Sequence, residues 1–112
     1  MSICNTQVYK SPYGGWCASS RIHAPFIFDN AILVFNTMKR FGGMVTTVAR
    51  IERKEKGTVF FYPYQDYHAE ANTSDCRATE KAVKQLHDDA LGKYQEIVSQ
   101  AIEFYAKKGA FV

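Results

Sequence analysis

The sequence has no long apolar stretch, since its longest uninterrupted apolar run is AILVF at residues 31 to 35. A membrane-spanning helix requires about 20 such residues, so we expect no membrane span. The opening stretch MSICNTQVYK also lacks the basic start and apolar run of a secretory signal. Cysteine is scarce, and its odd count of three is typical of reduced thiols. These absences predict a soluble, cytoplasmic protein.

Recognisable chemical motifs are missing as well. The cysteines and histidines show neither C-x-x-C nor H-x-x-x-H spacing, so no metal site is predicted. The stretch KSPYGGWC at residues 10 to 17 resembles a phosphate-binding loop in its paired glycines and lysine. Such a loop requires a helix directly after it, whereas the alternating residues from Trp16 onward indicate a strand. We therefore expect this loop to turn the chain between two strands, and assign no cofactor and no catalytic residue.

The pattern that is present predicts one α+β domain over residues 1 to 112. A content of 46% apolar and 22% charged residues is typical of a globular chain with its own core. We expect an antiparallel sheet of about four to five strands, a short helix at about 30–41, and a long C-terminal helix at about 75–108.

The short helix is predicted from apolar residues at helical spacing between Ala31 and Phe41. Asp29 is suited to cap its N-terminus, and Lys39 and Arg40 suit its last turn. An alternative interpretation places a hairpin turn at Asp29 and Asn30, which makes AILVF a strand.

A β-hairpin is predicted where MVTTVARIER and TVFFYPY flank KEKG. Alternation puts Val45, Thr47, Ala49 and Ile51 on one face, which we expect to be the core face. The following residues, 65 to 71, are predicted to form a short strand or a loop.

The long helix is predicted to start after possible caps at residues 72 to 74 and to carry one apolar stripe. It would span about 50 Å, more than the roughly 34 Å diameter of a compact domain of this size. Either the helix breaks at Leu91 and Gly92, or residues 93 to 108 pack on another chain. Because the stripe stays in phase across Gly92, we expect self-association. The predicted interface is Tyr94, Ile97, Val98, Ala101, Ile102 and Tyr105.

The function favoured by this sequence is that of a small non-catalytic protein that occludes or scaffolds a protein partner. Tyrosine and arginine are favoured at interfaces because they give large contacts at little entropic cost. The predicted contact residues are Tyr62, Tyr64, Tyr67, Arg50, Arg53 and Lys54.

Two alternatives remain. Residues 1 to 56 carry eight Lys/Arg against three Asp/Glu, which favours nucleic-acid binding. Lys39, Arg40 and Lys56 would then join Arg50, Arg53 and Lys54. The other alternative is a small enzyme or small-molecule binder, because Asp66, His68 and Glu70 alternate and would share one strand face.

His87 is predicted to lie on a solvated helix face.

Overall fold

The sheet and helices are seen in a computed structural model that describes residues 5–12, 14–27, 31–40, 42–53 and 67–107. The elements in chain order are β1 (Asn5–Lys10), β2 (Trp16–His23), β3 (Ala31–Lys39), β4 (Val45–Arg53), β5 (His68–Ser74), α1 (Glu80–Leu91) and α2 (Tyr94–Lys107). The described strands form one antiparallel sheet in the order β1-β2-β3-β4-β5. The predicted α+β class and antiparallel sheet are confirmed.

The loop between β1 and β2 reverses the chain, as predicted. The Ser11 N–H donates to the Gly15 carbonyl at 2.8 Å, and the Gly14 N–H donates to the Ser11 carbonyl at 3.1 Å. Gly14 and Gly15 have φ values of 94° and 80°, which side chains of L-residues disfavour. The paired glycines therefore serve the turn, and β2 follows them directly.

The predicted helix at 30–41 is wrong, because Ala31–Lys39 forms β3. The first five residues of β3 are all buried, so side chains on both faces of this strand are covered. A short apolar run buried on both faces has no alternation that distinguishes it from a helix. The alternative interpretation, in which AILVF is a strand, is the one that the structure supports.

The predicted core face of β4 is confirmed. The exposed fractions are 0% for Val45, Thr47 and Ala49 and 3% for Ile51. The predicted partner strand TVFFYPY and the loop KEKG lie outside the described residues. Among described strands, β4 pairs with β3 and with β5, which begins at His68.

The predicted continuous helix at 75–108 is also wrong, because two helices occupy this region. Residues 72 to 74 belong to β5, and α1 begins at Glu80. The Thr79 side chain caps α1 by accepting a hydrogen bond from the Ala82 N–H at 3.2 Å. α1 then ends at Leu91, and the Lys93 N–H donates to the Ala90 carbonyl in a tightened last turn.

Both helices contribute to the core on one face of the sheet. Val83 of α1 packs with Ala18 and Val45, and Ile97 of α2 belongs to the larger cluster around Leu33. We call this the helix side of the sheet and the opposite face the outer side. No helix in the described part of the chain is both long and apolar enough to span a membrane.

Candidate functional site

A row of three polar residues and one buried valine crosses the outer side of the sheet. The strand register aligns Arg21 of β2, Val34 of β3, Arg50 of β4 and His68 of β5. The row beside it on the helix side contains the core residue Phe35, so alternation directs the first row outward. Val34 is only 1% exposed, whereas Arg21 and His68 are exposed.

Glu52 holds two of these arginines at once. Its Oε2 accepts from Arg21 Nη2 at 2.7 Å, and its Oε1 accepts from Arg50 Nη2 at 2.9 Å. The side chains of Arg21 and Arg50 remain 48% and 41% exposed, while that of Glu52 is 17% exposed. Each guanidinium has five N–H donors, so both arginines keep donors that face solvent.

Burial and the two arginines act in opposite directions on the pKa of Glu52. Burial alone would raise the pKa of this carboxyl, but its bonds and charge interactions with Arg21 and Arg50 outweigh that effect. The pKa of Glu52 is therefore lowered, and the group is ionised at neutral pH. Half-exposed ion pairs of this kind contribute only about 0–1 kcal/mol to folding. Their main consequence is that the arginine side chains are held in place.

Arg40 adds a third guanidinium near this pair. Burial lowers the pKa of Arg40, and the positive charge of Arg50 lowers it further, so the two arginines lie close to each other. The Nε atoms of Arg40 and Arg50 are both buried and have no hydrogen-bond partner among the residues that the structure describes. We name Arg21, Arg40, Arg50 and Glu52 the arginine surface. Among the described residues, Glu52 accepts from two of these arginines, and the exposed Glu70 shares the outer side.

The structure places the predicted partner-binding residues in different environments, some on the surface and one in the core. Arg50 lies in the arginine surface, and Arg53 ends β4, where it pairs with Ala31. Tyr67 is 7% exposed, and its hydroxyl donates to Gln100 at 2.9 Å within the chain. Tyr67 is thus a core residue and is removed from the predicted contact surface. The other predicted residues, Tyr62, Tyr64, Lys54, Lys56 and Asp66, lie outside the described residues.

The described members of the set predicted for nucleic-acid binding do not form one cluster. Lys39 pairs with Val45 and Ala31 pairs with Arg53, so Lys39 and Arg53 lie at opposite ends of the β3–β4 ladder. At roughly 3.3 Å per residue, the two backbones are about 26 Å apart. Of the predicted small-molecule site, His68 and Glu70 are brought together on the outer side, and both are exposed.

The predicted oligomer interface on α2 is largely occupied by the chain's own core. Ile97, Ala101 and Tyr105 are 4%, 0% and 0% exposed. Tyr94 and Val98 pack against the same cluster, and Ile102 is 37% exposed. The uninterrupted helix that gave the reason for expecting self-association through this stripe does not exist.

A buried polar network that the sequence did not reveal lies on the helix side. His87 of α1 contacts Ser20 Oγ through Nε2 at 2.6 Å and Thr37 Oγ1 through Nδ1 at 2.7 Å. Ser20 continues the network to Thr6, and Thr37 continues it to Thr47. A neutral imidazole has one donor and one acceptor nitrogen, so a single direction of donation can run through all the links.

This Ser–His–Thr connectivity resembles that of a nucleophile, a base and an orienting group. Ser20, Thr37 and His87 are nevertheless each 0% exposed, and Thr6 also contacts the Ser20 hydroxyl. A substrate carbonyl therefore has no approach to Ser20 in this state. The network is a structural link between α1 and the sheet. The prediction that His87 lies on a solvated face is wrong.

The described residues contain no group of three or more His, Cys, Asp or Glu side chains that could hold a metal ion.

The sequence did carry one signal that His87 is buried. Val83, His87 and Ala90 follow helical spacing and are the buried residues of α1. In comparisons with known proteins, no family model matches the chain, and no curated protein or solved structure matches it.

Proposed function

We propose that this chain is a non-catalytic binding protein of the cytoplasm that occludes or scaffolds a protein partner. Its contact region is the arginine surface, and the partner supplies carboxylates. The observation that supports this most is that two guanidinium groups share one carboxylate and stay open to solvent. Glu52 accepts from Arg21 and Arg50, whose side chains are still 48% and 41% exposed and so have further N–H donors for a partner.

Preorganisation makes this surface suitable for recognition. A free arginine loses about 0.5–1.5 kcal/mol of conformational entropy when a partner immobilises it. Arg21 and Arg50 are already held by Glu52, so part of that loss occurs on folding. Arginine also forms paired hydrogen bonds with carboxylates, which gives orientation as well as attraction.

A protein partner fits this surface better than a nucleic acid does. A nucleic-acid strand presents phosphates at regular intervals and is bound by continuous basic rows. Here Glu52 and Glu70 lie among the arginines on the outer side, and Lys39 is separated from Arg53 by the length of β3. Glu52 and Glu70 would repel a continuous row of phosphates, whereas the separate carboxylates of a protein partner can be placed to avoid them.

The test measures binding of three fluorescent probes by anisotropy: a glutamate-rich peptide, a neutral peptide of equal length, and a single-stranded oligonucleotide. We expect the acidic peptide to bind in preference to the neutral one. Arg50→Ala should weaken this binding, whereas Lys84→Ala should not, since it removes the same charge from an exposed position on α1.

Two results would oppose the proposal. Equal weakening by Arg50→Ala and Lys84→Ala would mean that the peptide responds only to net charge. Tighter binding of the oligonucleotide, with an affinity that falls steeply with salt, would favour the nucleic-acid alternative instead.

A further inference from the structure

Glu52 of β4 connects two strands that are not neighbours in the sheet. It lies two residues from Arg50 on the same strand, and therefore on the same face, and it reaches across β3 to Arg21 of β2. Its two oxygens accept from the two arginines at 2.7 and 2.9 Å, one oxygen for each. One carboxylate thus holds the ends of two long side chains whose backbones are about 10 Å apart on the sheet.

The bonds to Glu52 leave part of each guanidinium available to a partner. Arg21 and Arg50 each donate to Glu52 through Nη2, so the two N–H groups of each Nη1 remain. A carboxylate binds such a fork through two parallel hydrogen bonds, which require a particular orientation of the guanidinium plane. The orientation of the two arginines therefore determines how well a carboxylate binds.

We infer that Glu52 is a positioning residue that determines the specificity of the arginine surface. It aligns Arg21 and Arg50 for the carboxylates of a protein, and its charge disfavours a chain of phosphates. Glu52 acts through the arginines and does not itself contact the partner. The inference rests on the proposed function, since it requires that an acidic protein binds at the arginine surface.

Glu52 contributes in two opposite ways to the binding of an acidic partner. Its charge repels the partner's carboxylates, but at physiological salt such repulsion is screened over about 8 Å. Its bonds to Arg21 and Arg50 act at 2.7 and 2.9 Å, well inside that length. Without them the partner would have to immobilise two free arginines, each of which weakens a complex by about two- to twelvefold. We therefore expect the orienting effect to outweigh the repulsion.

For a nucleic-acid strand, Glu52 has an unfavourable effect only. The affinity for a strand depends mainly on how many phosphates the cations neutralise, and flexible arginines can follow the phosphates. Glu52 offsets one of the two positive charges of Arg21 and Arg50 and so lowers this affinity. Removal of its charge should thus weaken the binding of an acidic protein and strengthen the binding of a nucleic acid.

Glu52→Gln tests this inference with the glutamate-rich peptide and the single-stranded oligonucleotide, by anisotropy at about 0.15 M salt. The variant keeps the size of the side chain, loses one of the two accepting oxygens and adds one to the formal net charge of +3. We expect the peptide to bind about threefold or more weakly and the oligonucleotide to bind more tightly. Loss of folded protein would weaken the binding of both probes, and a response to net charge alone would strengthen both.

The matched control is Glu70→Gln on β5. Glu70 lies opposite Val48, next to the irregular position where the register of β5 shifts and Ala71 has no opposite residue. It is exposed and forms no ion pair with the described arginines. Glu70→Gln therefore makes the same change of charge on the outer side without releasing an arginine, and it should strengthen the binding of both probes. Weaker peptide binding in this control, or peptide binding by Glu52→Gln that equals or exceeds that of wild type, would overturn the inference.

A second measurement needs no partner and no variant. Relaxation of the side-chain 15Nε nuclei reports the motion of each arginine on the picosecond to nanosecond timescale. Arg21 and Arg50 should be more rigid than Arg77, which is exposed in the segment between β5 and α1. If all three are equally mobile in the wild-type protein, Glu52 does not position the arginines and the inference is wrong.

Failure of the inference is distinguishable from failure of the proposed function. A wild-type protein that does not prefer the acidic peptide to the neutral one contradicts the proposed function, and the inference fails with it. A wild-type protein that prefers the acidic peptide and loses it in Arg50→Ala, but binds it more tightly in Glu52→Gln, contradicts the inference alone.

Discussion

The charge state of His87 affects how stably α1 docks on the sheet. Burial lowers the pKa of His87, while the nearby charge of Asp88 opposes this effect in part. The neutral ring matches the hydroxyls of Ser20 and Thr37, and a protonated ring would place a charge in a site that is 0% exposed. The folded protein therefore favours neutral His87.

A pH dependence of stability follows from this lowered pKa. In the unfolded chain, His87 titrates near its ordinary value of about 6.5. Below that pH the unfolded state binds more protons, so the free energy of unfolding should fall as pH drops from about 7 toward the folded-state pKa. Its slope from this group should be at most about 1.4 kcal/mol per pH unit.

Urea unfolding between pH 7.5 and 5 measures this slope. His23→Gln should retain it, because His23 is exposed, and His87→Gln should reduce it. If the His87 variant does not fold, NMR of the wild-type imidazole replaces it. Titration of the His87 ring at its ordinary pKa in the folded protein would contradict the prediction.

Gly15 and Gly14 form a matched pair for testing the turn between β1 and β2. Both have positive φ, so alanine at either position costs about 1–2 kcal/mol in the backbone. At Gly15 an added Cβ would also lie 2.9 Å from the Ala78 Cβ, whereas at Gly14 nothing lies within 4 Å. Gly15→Ala should therefore destabilise more, by a further 1–3 kcal/mol or so, in thermal unfolding. Equal effects would show that the loop relaxes away from Ala78.

Among the structural elements, sequence patterns succeeded for β4 and failed for β3 and for His87 of α1. β4 alternates between core and polar residues, and its core face was predicted correctly. β3 has buried residues on both faces, so its β-branched Ile32 and Val34 were a better guide than its periodicity. His87 was missed because the partners of a polar core residue come from β2 and β3, far away in the sequence.

The segment between the helices is tied to the sheet by Lys93. Its ammonium group donates to the Ala71 carbonyl at the irregular position of β5. Lys93→Met keeps the apolar part of the side chain but loses this bond, so we expect a loss of about 1–2 kcal/mol in urea unfolding. Lys84→Met on α1 is the control and should change stability by less than about 0.5 kcal/mol. Equal losses in both variants would mean that the hydrogen bond from Lys93 to the Ala71 carbonyl does not contribute to the free energy of unfolding.

At the scale of the whole molecule, Ile97 and Ile102 distinguish a core role of α2 from an interface role. Ile97 is 4% exposed, so Ile97→Glu buries a carboxylate and should unfold the chain or cost several kcal/mol. Ile102 is 37% exposed, and Ile102→Glu should leave both fold and oligomeric state unchanged. Light scattering and thermal unfolding together check this. If the wild type is a dimer and Ile97→Glu is a folded monomer, then Ile97 lies in an interface between chains and the core assignment is wrong.

The arginine surface was predictable only in part. Arg50 was identified from the cluster of basic residues, but Arg21 is distant in sequence and joins it only through Glu52. The α+β class came from local patterns, whereas the alignment of Arg21 and Arg50 on either side of Val34 requires the register of three strands. Such a site arises from topology and leaves no compact motif in the sequence.

The order of the strands has a consequence for how fast this chain folds. Each described strand from β2 to β5 pairs with the strand before it in the sequence, and no described strand crosses over another. Sequence-local pairing of this kind lowers the entropy lost in closing each loop, and proteins with such contacts reach their native state sooner. Hairpins can add one after another, and docking of α1 on the finished strands follows. Because that docking must strip water from His87, acidic solution should slow the last step of refolding more than the first.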